Sequence, residues 1–186
     1  MKERKYKEDY RLETRITDRG REKRVAVYQG EWFAPAGDED WRHARRISLG
    51  GLIAFVLCYA AYMRLSTPSA WCMYVLPVAA AGLIPALYWG MGLFTLLRCP
   101  SPMIRTQREK GVGRVMRSSL GCMVLLGMAA LGDAVFLAVG GQATAELPGF
   151  ALLACCAVIG AGCFFRVKAA YNGMKTVPAP QGGHNP

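Results

Sequence analysis

One carboxylate sits inside an otherwise apolar run: Asp133, within Leu131-Gly132-Asp133-Ala134-Val135-Phe136. A carboxylate in such surroundings can do two kinds of work. Paired with a cation it fastens helices together, and without one it can hold a proton or an ion. The residues placed to answer it are Arg64, Tyr59, Tyr62 and Tyr74, each near the matching end of a neighbouring apolar run. The expected cluster is Asp133 with Arg64, whose long stem can snorkel back toward it, and one or more of the three tyrosines. Structural fastening is the preferred reading, with a proton or ligand site as the alternative.

No other grouping in the chain assembles catalytic chemistry. His43 and His184 are isolated, and neither HExxH nor another metal-ligand spacing occurs. There is no GxSxG elbow. Gly111-Val112-Gly113-Arg114 lacks the lysine and spacing of a phosphate loop. No metal and no cofactor is expected. The seven cysteines contain no CxxC, so they are read as small apolar packing residues. Cys155 and Cys156 are adjacent, and neighbouring helix positions do not face the same way.

The elements that would position Asp133 are four apolar runs, with spans expected at 47–64, 71–97, 119–141 and 147–166. A bilayer core of about 30 Å is crossed by roughly 20 apolar residues in a helix. Helices satisfy their own backbone groups, which lipid cannot do. A soluble shell around four such helices needs more chain than 186 residues. The expected fold is therefore an all-α membrane protein. It is a four-transmembrane-helix bundle over residues 38–171, with a small N-terminal cytoplasmic β-hairpin. The first apolar run follows a charged segment, so a cleavable leader is not expected.

Lys and Arg alternate along the chain: 13 in residues 1–46, one in 64–70, six in 98–119, none in 142–146 and three from 166 onward. Basic residues stay on the cytoplasmic side of short loops. Both termini and the middle loop are therefore expected inside, in a cell membrane read as a bacterial cytoplasmic one. The net charge of +10 is mainly this signal. Nucleic-acid binding is not expected, because no base-reading motif accompanies the charge.

Residues 1–37 form a charged segment in which residues 10–33 read as a hairpin. Tyr10, Leu12, Thr14 and Ile16 alternate with polar neighbours, Val25 and Val27 alternate in turn, and Asp18-Arg19-Gly20 supplies the turn. A lone hairpin is marginal in water. It must gain stability from the leaflet, from the middle loop, or by adding a strand to another chain. After Pro35-Ala36-Gly37, Asp38 is the expected helix N-cap. Trp41 is expected at the interface, with Arg42, Arg45 and Arg46 toward headgroups. The loop 98–118 carries Arg105, Arg108, Lys110, Arg114 and Arg117, each able to contribute about 1 kcal/mol of attraction to anionic lipid. The Pro/Gly-rich tail 172–186 is expected to be disordered.

Within the bundle, Gly82, Ala86 and Gly90 make one small-residue face, and Ala130, Ala134 and Ala138 another. These faces serve packing within the chain, a homo-oligomer or a partner's helix. Pro77 and Pro85 are expected to kink the second helix. The leading functional expectation is a non-enzymatic accessory or assembly subunit. It would engage a membrane-protein partner or the anionic inner leaflet through the hairpin and the basic loop. The alternative is a small oligomeric transporter or channel with Asp133 as the coupling carboxylate.

Overall fold

The computed structural model describes residues 9–16, 22–72, 74–99, 101–139 and 143–178. The chain is mostly helical. Four of its helices are long and apolar enough to cross a membrane: Asp38–Arg64, Leu76–Arg98, Arg105–Val139 and Glu146–Asn172.

Helix α1 (Asp38–Arg64) opens with Asp38, Glu39 and Asp40 against the positive end of its dipole. Gly37 is its N-cap, so Asp38 is the first helical residue and not the cap expected of it. Its buried residues are Trp41, Ala44, Ser48, Phe55, Tyr59 and Tyr62, spaced by threes, fours and sevens on one face. Trp41 therefore points into the bundle and not toward the interface. Phe55, Tyr59 and Tyr62 form an aromatic column on this face, with successive ring centroids 6.0 and 6.3 Å apart.

The second run is two helices, α2 (Leu76–Ala81) and α3 (Leu83–Arg98), joined at Gly82. Pro77 sits in the first turn of α2, where its missing N–H costs nothing. Pro85 cannot bond the Ala81 carbonyl, so the chain bends between the two prolines. A Cβ at Gly82 would stand 2.7 Å from Leu126, so its absence lets the bend press on the third long helix. The expected span began at residue 71. Pro68–Trp71 instead form a 3-10 turn, and the helix starts at Leu76.

The middle segment departs most from a solvated basic loop. Strand β4 (Met103–Ile104) leads into α4 (Arg105–Arg108), a π-helical turn (Glu109–Gly113) and α5 (Arg114–Val139). Gly111, Val112 and Gly113 are buried, and a Cβ at Gly111 would stand 3.5 Å from the Leu96 backbone. The two glycines let this turn tuck beneath α3. Helix α6 (Ala143–Asn172) begins four residues before the expected 147 and carries an inward stripe. Glu146, Gly149, Leu153, Cys156, Gly160, Cys163 and Val167 follow a three–four spacing, and all are buried. Helix α6 lies between α1 and α5, and α5 also packs on α3. At Gly160 a Cβ would stand 3.1 Å from the backbone of Ser119 and of Met123, so α5 and α6 touch backbone to backbone.

Strands β1 (Tyr10–Ile16) and β2 (Glu22–Tyr28) pair antiparallel from Tyr10↔Tyr28 to Ile16↔Glu22. The Asp18-Arg19-Gly20 turn lies outside the described residues. The hairpin ends at Tyr28, and residues 32–34 belong to a different sheet. There β3 (Trp32–Ala34) is central, pairing with β4 on one edge and with β5 (Lys175–Val177) on the other. Residues 175–177 are thus an ordered strand where a disordered tail was expected. β3 has two open edges, and the tail fills one of them. Residues 179–186 lie outside the described residues.

Candidate functional site

Two carboxylates, not one, are buried at the end of the bundle remote from the termini. Asp133 continues the inward face of α5 after Leu126, Ala129 and Ala130. Glu146 heads the inward stripe of α6. Both are 0% exposed. Gly149, one turn beyond Glu146, lies beside Asp133, and its missing side chain lets Thr67 of the linker close on α6. A Cβ there would stand 3.8 Å from Asp133 Oδ2 and 2.9 Å from the Thr67 methyl.

The linker from α1 to α2 folds over this pair. Thr67 and Ser69 are buried, and the Ser69 hydroxyl lies 3.4 Å from Thr67 Oγ1. The Ser69 backbone N–H donates to Glu146 Oε1 at 2.8 Å. This N–H belongs to the first turn of the 3-10 segment and has no partner within it, so the glutamate caps the linker. Among the described residues Glu146 Oε2 has no hydrogen-bond partner, nor has either Asp133 oxygen. The Ser69 hydroxyl and the Glu146 carboxyl are the polar neighbours of Asp133, although neither reaches it in good geometry. The Tyr62 hydroxyl is also buried and has no hydrogen-bond partner among the described residues.

The structure separates the other expected members of this cluster. Arg64 is exposed, and among the described residues no ion pair joins it to Asp133. It is the last residue of α1. Tyr59 donates its hydroxyl to the Ala79 carbonyl at 3.0 Å, tying α1 to α2. Tyr74 is half exposed; its ring lies against Gly132, where a Cβ would stand 3.2 Å from it. Of the residues singled out in the sequence, Asp133 and Tyr62 share this site. Glu146 joins them from one residue outside the run it was excluded from. The three–four spacing of its helix, extended back from Gly149, points to it.

At the opposite end the cations find aromatic rings. Arg108 lies between Phe33 and Tyr171, 4.4 and 4.0 Å from their centroids, and donates to the Tyr171 carbonyl at 3.2 Å. Arg45 lies 5.0 Å from the Trp41 ring and donates to the Cys99 carbonyl at 2.8 Å. Arg42, Arg46, Lys110 and Arg117 are exposed, and Arg114 is half buried. Arg105 pairs with Glu109 at 3.6 Å on the surface. Tyr28 anchors the hairpin: its hydroxyl donates to the Glu31 carbonyl at 3.0 Å and accepts the Arg105 N–H at 3.2 Å. Burial pushes this phenol above the ordinary tyrosine range, against the opposing pull of the Arg105 N–H.

The small-residue faces divide. Gly82 and Ala130 are buried against neighbouring helices, Ala86, Gly90 and Ala134 are half buried, and Ala138 is exposed. Among the described residues, no three His, Cys, Asp or Glu side chains gather as a metal centre. In comparison with known proteins, no family model, no curated protein and no solved structure matches this chain.

Proposed function

We propose that this chain is a multi-pass protein of the cell membrane, with both termini cytoplasmic. It serves as a non-enzymatic accessory subunit that offers its β1–β2 hairpin to a partner protein. The membrane reading is supported by large apolar side chains exposed around the helices, among them Leu57, Leu131 and Val158 at 65%, 69% and 70%. In water such a belt would drive aggregation. The topology is supported by the sheet: β3 precedes the first long helix, β4 lies midway and β5 follows the last. Their pairing favours one side for all three segments. The basic residues concentrated in those segments favour the inside.

One observation carries the accessory role. The hairpin rests on the body through Tyr28, while Leu12 stands 69% exposed on β1 and no described strand pairs with the outer edge of β1. A two-stranded hairpin gains independent stability when a third strand joins it. An extended segment of a cytoplasmic protein would add main-chain hydrogen bonds along β1 and cover Leu12. In the strands, Glu13 and Glu22 interrupt the basic series Arg11, Arg15, Lys23 and Arg24, and the apolar Leu12 among them suits a protein strand better than a headgroup layer.

The test is a photo-crosslinking residue at position 12 of the full-length protein in its native membrane. A discrete protein adduct should form, and it should vanish when Thr14→Pro removes a strand N–H from β1. Adducts to lipid alone, or to a second copy of the chain alone, would overturn the reading.

A further inference from the structure

We propose that the cleft between the start of α1 and the end of α6 holds one phospholipid headgroup of the phosphoethanolamine kind. Arg166 takes the phosphate and Asp40 takes the primary ammonium. The site rests on the membrane reading above and is independent of the accessory role.

The cleft follows from small side chains. Residues 166, 169, 170 and 173 share the face of α6 that meets the start of α1, at three–four spacing. Three of them are Ala169, Ala170 and Gly173, and Ala44 of α1 lines the same gap, so no long apolar side chain fills it. A cleft of about 240 Å³ is left. The chain before α1 closes one end of it, where a Cβ on Gly173 would stand 4.0 Å from that of Ala36.

Two opposite charges line this cleft and do not meet. Arg166 comes from α6 and Asp40 from α1, and among the described residues no ion pair joins them. A Cβ on Gly37, also in the wall, would stand 3.5 Å from Asp40 Oδ2, so the carboxylate itself belongs to the lining. Trp41 forms part of the wall at 4% exposure, and its indole N–H has no hydrogen-bond partner among the described residues. A donor so buried ordinarily finds an acceptor. A zwitterion, with an anionic group rich in acceptors and a cationic amine, complements both charges and offers that acceptor.

The order of the charges matches a lipid. Arg166 is the first residue after the apolar run 147–165, and Asp40 stands seven residues before the apolar run that begins at Ile47. At 1.5 Å per residue, Asp40 lies roughly 10 Å farther from the hydrocarbon along its helix. The stem of Arg166 can carry its guanidinium part of that way. In a phosphoethanolamine lipid the phosphate is likewise the inner group and the amine the outer one. Choline suits the cleft less well. Its quaternary ammonium has no N–H for a carboxylate and is held by aromatic cages, whereas of the lining residues one, Trp41, is aromatic. A glycerol headgroup brings no cation to Asp40.

The test starts with membranes containing the full-length protein, washed in alkaline carbonate. The protein should stay in them; release would overturn the membrane reading and the site together. The retained protein, purified in detergent, is then titrated with dioleoyl lipids bearing ethanolamine, choline or glycerol headgroups, and adducts are followed by native mass spectrometry. One ethanolamine lipid should bind about tenfold more tightly than either of the others, the worth of one hydrogen bond to a charged group. Asp40→Asn should bring that lipid down to the choline level, and Arg166→Gln should weaken all three. Both residues are exposed, so the fold tolerates the changes. Ala169→Phe fills the cleft without touching a charge and should abolish the tight adduct. Equal binding of the three lipids, or a preference for glycerol, would overturn the site with the membrane reading intact. So would an ethanolamine preference that survives Asp40→Asn or Ala169→Phe.

Discussion

At the end bearing the termini, Arg108 is sandwiched by Phe33 and Tyr171, Arg45 lies over Trp41, Arg98 over Phe94 and Lys168 near Phe164. At the other end, Asp133 and Glu146 are fully buried, and among the described residues no ion pair joins either to a cation. The difference follows from side-chain length. Lys and Arg carry their charge to water on a long apolar stem, or spread it over a ring face, and so tolerate the edge of an apolar bundle. Asp and Glu are too short to escape. A short acid kept deep in the bundle therefore calls for an explanation that the arginines do not.

The largest effect should come from uncoupling α5 from α6, which carry the two acids. Gly160→Leu forces a side chain into the backbone of Ser119 and Met123 and should cost about 3 kcal/mol or more. Thermal unfolding in detergent would read it; an unchanged midpoint would mean that the helices are not in backbone contact. Next comes a pair of variants with opposite signs. Asp133→Asn should stabilise the protein, because a buried carboxylate with no hydrogen-bond partner among the described residues gives way to a neutral group of the same size. Arg108→Ala should destabilise it by about 1–2 kcal/mol, because two ring faces lose their cation. The same sign for both would dissolve the contrast between the ends.

The smallest effect concerns Tyr28. Its phenol is held above the ordinary value of 10.0 by burial, so the folded hairpin keeps a proton that the unfolded chain releases. That stability is present below pH 10 and is lost as pH rises through the folded value. Tyr28→Phe should remove this dependence and cost about 1 kcal/mol through the hydrogen bonds to Glu31 and Arg105. Hydrogen exchange over residues 10–28 would show both.

Much of this architecture is legible from periodicity. The apolar runs mark the four long helices, the period of two marks β1 and β2, and the buried spacing of α5 runs straight to Asp133. What periodicity cannot show is where a helix starts when its first turn is polar. Leu147-Pro148 looks like a beginning, and it hides Glu146 one residue earlier. Trp41 looks like an interface aromatic until its spacing with Ala44 and Ser48 is followed. The strand β5 has only three residues, and its partner lies some 140 positions upstream, so no local pattern announces it. Arg64 is within reach of Asp133 by chain length, but in the fold it is exposed while Asp133 is buried, which chain length alone does not decide.

The three-stranded sheet also orders events during synthesis. β3 is made before any long helix, and its partners emerge only after the second and the fourth. The strand must wait, half paired and then fully paired, while the helices are laid down. Its closure by Lys175–Val177 brings the end of the last long helix beside the start of the first. In the membrane topology proposed above, a chain that mis-inserted one helix would leave β3 with an open edge, a ready mark for the proteases and chaperones that sort incomplete products.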